Sequence, residues 1–151
     1  MSPVFVAIFA LLASTFRTRA AQQAEIVALR HEIAILLGLI FVVLGLNGFL
    51  NFLSMGPMPS GLAGQFVGAL ALSHYFWVVA ALQAAGGALL LVNRFVPLAL
   101  VLLGPVIVNI LLYHLFLNPT GIALAIVVAI LWLIVFYAHR QYFSGIFVQR
   151  T

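Results

Sequence analysis

Between Ile33 and Ala138 the chain carries a single charged side chain, Arg94. A stretch of that length with one charge cannot solvate the surface of a water-soluble globule, so the setting that suits it is a lipid bilayer. Polar interruptions cut this region into four apolar runs, about 33–52, 74–92, 95–117 and 122–138. Each approaches the roughly 20 residues that a helix needs to cross a ~30 Å hydrocarbon core. The expected fold is an all-α integral membrane protein, an antiparallel bundle of four transmembrane helices over 33–151. Short connections leave little other choice of topology. With 66% hydrophobic and 5% charged residues, the whole chain has no room for a second, soluble core.

The charges that remain sit where a membrane protein uses them. Arg17, Arg19 and Arg30 precede the first run, Arg94 separates the second from the third, and Arg140 and Arg150 follow the fourth. Four spans put all six on one side, and retention of arginine on the cytoplasmic side sets orientation. The chain is therefore expected in the bacterial inner membrane, multi-pass, with both termini in the cytoplasm. The net charge of +4 is a topology signal, and no nucleic-acid partner is expected. There is no cysteine, which excludes thiolate metal sites and cysteine nucleophiles. Neither glutamate, Glu25 or Glu32, lies within a span, so proton or cation transport lacks its usual carboxylate. No catalytic residue and no metal ligand is nominated.

Residues 1–32 form a separate segment. The run Pro3–Ala13 is too short to span, and Ser14–Glu32 is rich in helix formers, with Phe16, Ala20, Ala24, Val27 and His31 at helical spacing. An amphipathic helix on the cytoplasmic surface and a solvent-exposed extension fit this pattern equally. After the first span, Gly-Pro and Met-Pro pairs in LSMGPMPS (53–60) mark a turn. A short interfacial helix, Gly61–Ser73, capped by Ser60, is expected before the second span. The alternative fuses 61–92 into one long tilted helix, since nothing between them is a strong breaker. Asn93 and Arg94 make a tight turn, Pro97 occupies the first turn of the third span, and Asn118-Pro119-Thr120-Gly121 closes it.

Polar residues inside the runs are the candidates for function. From the cytoplasmic helix ends, Asn47 and Asn109 lie about 21 Å up, and Asn51, Tyr113 and His114 about 27 Å up. A buried amide left unpaired in hydrocarbon costs several kcal/mol, so the asparagines are expected to face the bundle interior. Asn109 and Tyr113 share a face, and Pro105 frees the Val101 carbonyl on it. His114 points about 140° away from Asn109. Asn47, Asn51, Asn109, Tyr113 and His114 are thus the candidate ligand-binding residues. Packing of side chains and interhelical hydrogen bonding is the equal competitor for the asparagines. Gln83, Gly86, Gly87 and Pro105 are expected at helix contacts, the glutamine as an interhelical hydrogen-bonding group worth about 0.6–2 kcal/mol. His74 and His114 sit among Tyr75, Trp77 and Tyr113, the composition of an aromatic belt, and a bis-histidine haem is not expected.

Two resemblances accompany this reading. The runs GLNGFLNF (45–52), MGPMP (55–59) and GGALLLVNRFVPLALVLLGPVIVNILLYHLFL (86–117), with the four-span layout, resemble the DoxX-like family of small bacterial membrane proteins over about 31–143. The resemblance implies a four-helix bundle and, for some members, association with redox complexes such as thiosulfate:quinone oxidoreductase. The run FRTRAAQQAEIVALRHEIAIL (16–36) resembles the leader helix of integrase-type transposases. That family's acidic triad has no counterpart here, because the chain holds two acidic residues in all. The function expected is a non-catalytic accessory subunit packed against other membrane subunits of a redox or energy-converting complex. The alternative is a binder, or an oxidoreductase subunit, for a small hydrophobic molecule such as a quinone or lipid in an outward-facing polar pocket.

Overall fold

The computed structural model describes the backbone of residues 3–54 and 56–147 and the side chains of 19–54 and 56–145. The side chains of Phe16 and Arg17, and all of Arg150, lie outside these described residues. Five α-helices follow one another: α1 (Pro3–Leu50), α2 (Gly61–Leu72), α3 (Tyr75–Leu91), α4 (Val96–Phe116) and α5 (Ile122–His139). Short 3₁₀ segments occupy Pro119–Gly121 and Arg140–Phe147, and no strand occurs among the described residues. The chain divides into two compact units, Met1–Glu32 and Ile33–Thr151.

Three helical segments are long and apolar enough to cross a membrane: Arg19–Leu50, Val96–Phe116 and Pro119–Gly145. A fourth is added if α2 and α3 count as one span. These two helices are bent by 82° at Ser73–His74, which rules out the fused, straight helix over 61–92. The bend is made locally. His74 adopts φ 60°, in the left-handed region, and its amide donates to Ala71 while Ser73 donates to Ala69. The Ser73 hydroxyl donates to Leu70 O, and the Tyr75 amide donates to the Ser73 hydroxyl. Neither serine nor histidine is a strong helix breaker, so nothing in composition announces the break. Ser60 holds the N-cap position of α2 with extended backbone, but its side chain makes no cap bond.

The end of α3 is closed by the same device in full. Asn93 sits at φ 50°, its amide donates to Leu90 O, and Arg94 N donates to Leu89 O. This is the paired-bond Schellman arrangement, in which a left-handed residue lets the chain turn out of the helix. α4 then starts at Val96 with Pro97 in its first turn, where the missing amide hydrogen costs nothing.

In the second unit, the buried face of α1 is Ala34, Leu37 and Phe41, and that of α4 is Ala99, Leu100, Leu103, Val106 and Ile107. Spacings of three and four residues put each set on one helical face. Leu90 of α3 and Val128 and Val135 of α5 complete the cluster. Small residues bring α1 and α3 into backbone contact. A Cβ on Gly38 would stand 2.8 Å from the Gly87 carbonyl oxygen, and one on Gly45 would stand 2.5 Å from the Ala84 nitrogen. A Cβ on Gly48 would meet Ala80 Cβ at 2.6 Å. In lipid, where burial of apolar side chains gives no net gain between helices, such close approach supplies the van der Waals contact that holds them. Gly86 plays the same part toward α4, with Leu103 filling the space its side chain would take.

Candidate functional site

Asn47 is 5% exposed, as the depth argument expects, but its amide is turned toward its own chain. Its Oδ1 accepts from Leu53 N at 2.6 Å, and its Nδ2 donates to Leu53 O at 3.3 Å. Asn51, four residues on, is exposed and takes φ 50°. Together they end α1. Asn51 supplies the left-handed step that asparagine tolerates, and Asn47 grips the strand that leaves it.

Asn109 departs from expectation. It is exposed, as is Pro105, and its Nδ2 donates to the Pro105 carbonyl at 2.9 Å. Bonding back to a carbonyl four residues earlier satisfies an amide within its own helix and removes the need to face the interior. Tyr113, on the same face one turn later, stacks on Phe66 of α2 with ring centroids 5.8 Å apart. Among the described residues no hydrogen bond joins Asn47 or Asn51 to Asn109 or Tyr113. Asn47, Asn109 and His114 each bond to a backbone group close by in the sequence.

His114 closes the α4–α5 connection. Its Nδ1 is 2.8 Å from Asn118 O, its ring packs against Gly121 where any side chain would collide with it, and Tyr113 meets it edge-on at 5.1 Å. The Asn118 side chain in turn accepts from Thr120 N. His74 packs edge-on against Trp77, its ring centroid 4.8 Å away. Gln83 is 7% exposed and lies on α3 near the buried Gly86 and Gly87. Arg19, Arg30, Arg94 and Arg140 are all exposed. No group of three or more His, Cys, Asp or Glu side chains comes together among the described residues.

A cavity among the described residues lies elsewhere. A cleft of about 260 Å³ opens between α4 and α5, lined by Leu100, Val101, Gly104 and Pro105 on one side and by Trp132, Phe136 and Phe143 on the other. Trp132 and Phe136 stack with centroids 5.0 Å apart and planes 12° apart, and Phe143 continues the row 4.8 Å from Phe136. The row is fixed at one end because Trp132 Nε1 donates to the Leu100 carbonyl at 3.1 Å. Gly104 keeps the floor open, since a Cβ there would already touch the indole at 3.4 Å. Pro105 has no amide hydrogen, so the Val101 carbonyl lacks its usual helical donor. The sequence held a signal for this cleft in Gly104-Pro105 and in Trp132 and Phe136 at i, i+4. No polar residue marks it within the apolar runs, because every lining side chain is apolar or aromatic.

No family model matches the chain, and neither a curated protein nor a solved structure is significantly similar to it.

Proposed function

We propose that this chain is an accessory subunit of the bacterial cytoplasmic membrane, four antiparallel spans with both termini in the cytoplasm, that packs against a larger redox or energy-converting complex. One observation carries the reading: four polar side chains of the apolar helices bond to backbone in their own helix or in the turn that follows it. Asn47 is bound to Leu53, Asn109 to Pro105, His114 to Asn118 and His139 to Val135. Among the described residues no fully buried side-chain nitrogen or oxygen is without a partner. Polar groups used in this way shape helix ends and turns, and leave broad apolar faces for contact with other helices. Leu98, Val101, Val108, Leu112 and Leu115 of α4 and Leu124, Val127 and Leu133 of α5 are exposed along such faces.

The resemblance to DoxX-like proteins, carried by residues 45–52, 55–59 and 86–117, supports the same assignment and the same kind of partner. A quinone bound by Asn47 and Asn109 is the weaker alternative, because both amides already have backbone partners. Extraction in a mild detergent followed by native electrophoresis tests the proposal. The chain is expected to migrate with larger membrane subunits and to separate from them in harsher detergent. Migration alone under every condition would overturn it.

A further inference from the structure

The α4/α5 cleft lies toward the helix ends that carry Arg94 and Arg140. Leu100 is six residues beyond Arg94, about 9 Å along a helix, and Phe136 is four residues before Arg140, about 6 Å. Phe143, which closes the aromatic row, follows Arg140 by three residues. An apolar slot therefore opens within one or two helical turns of two exposed guanidinium groups.

Those groups have no carboxylate of their own. From Ile33 to Thr151 the chain contains neither aspartate nor glutamate, so no side-chain carboxylate within this unit can neutralise Arg94 or Arg140. Arg140 is held with its guanidinium 4.1 Å from the centre of the Tyr137 ring, a contact that orients the group and leaves its charge intact. A planar guanidinium fixed in this way suits the paired oxygens of a phosphate.

The cleft also selects what can enter it. Its 260 Å³ is below the ~300–1,000 Å³ of pockets that enclose a whole small ligand, so it suits a segment of a longer molecule. The indole N–H of Trp132 is the one strong hydrogen-bond donor among the lining side chains, and it is already given to Leu100. A quinone carbonyl would find no donor there, whereas a hydrocarbon chain needs none.

We propose that the cleft holds one acyl chain of an anionic glycerophospholipid, with its phosphate bound at Arg140. The inference depends on the membrane setting and not on the accessory-subunit role, which is tested separately by co-migration. Trp132 reports on the site directly. In a Trp77→Phe protein it is the sole tryptophan, and its fluorescence is measured in phosphatidylcholine vesicles containing either phosphatidylglycerol or phosphatidylcholine with brominated chains at equal mole fraction. Brominated phosphatidylglycerol is expected to be enriched about fivefold at the indole, the ratio that one interfacial arginine supports. Arg140→Gln is expected to abolish that preference. Gly104→Leu, which fills the slot, is expected to reduce quenching by both lipids. Equal quenching by the two lipids, or a preference that survives Arg140→Gln, would overturn the proposal. So would displacement of the brominated lipid by added ubiquinone. Should Gly104→Leu fail to fold, the exposed Arg140→Gln change still decides the outcome.

Discussion

Asn47 illustrates how one amide can be legible in depth and illegible in direction. Its position in an apolar run requires a partner, and it has two, but both are the backbone of Leu53 just beyond the helix end. Periodicity places a Cα on a helix face, while the choice between a neighbour across the bundle and a nearby backbone group depends on the local turn. The same competition took Asn109 out of the expected inward set, because the Pro105 carbonyl one turn back was within reach. Replacing Asn47 by leucine removes both bonds and leaves the Leu53 groups unpaired, a loss of about 1–3 kcal/mol. Lower thermal stability in detergent, with helix content unchanged at low temperature, is the expected result. Asn109→Leu, by contrast, is expected to leave stability within about 0.5 kcal/mol, as a surface change away from any special feature does. Asn93, held at φ 50°, gives a third test. Asn93→Gly is expected to be nearly neutral, and Asn93→Val to cost about 1–3 kcal/mol by forcing a β-branched residue into a left-handed turn.

The helices after α1 were largely legible, because runs of apolar residues bounded by Gly, Pro and Asn leave few places to start and stop, whereas the expected boundary between residues 1–32 and the first span is absent from the continuous helix Pro3–Leu50. α4 begins within a residue of expectation and carries Pro97 in its first turn. The bend between α2 and α3 was not legible as an angle, since Ser73 and His74 take their geometry from a left-handed residue that histidine adopts rarely. The seam between α1 and α3 was visible only in part: Gly87 stood out, but its counterparts on α1 are recognised only once the helices are in contact. That seam makes a sharp prediction. Gly45→Leu must push α3 away from the Ala84 backbone, and a loss of about 1–3 kcal/mol or more is expected, as for other overpacked contacts. Gly68→Leu serves as the control, because no atom lies within 4 Å of a Cβ at that site. Thermal unfolding of the two variants in the same micelles is expected to separate them clearly.

At the scale of the whole molecule, three helical segments, or four if α2 and α3 form one span, are long and apolar enough to cross a membrane. Under the four-span arrangement proposed above, a reporter that works only outside the cytoplasm is expected to be inactive when fused after Thr151, and activity there would invert the topology. Matched depth along two helices does not by itself say which side chains meet, and the cleft near the arginines is not marked in the sequence by any polar residue because its lining is apolar and aromatic. The bend at His74 has a further consequence for the membrane itself. It leaves α3 with 17 residues where α4 has 21, about 26 Å against about 32 Å of helix. Under the four-span arrangement proposed above, with α3 as a span of its own, the bilayer beside it is expected to thin, or lipids with short chains to gather there, at a cost of fractions of a kcal/mol for each ångström of mismatch. Such a protein favours thin membranes and resists crowding into thick ones, so lengthening the lipid chains of a reconstituted vesicle is expected to lower its stability or make it cluster.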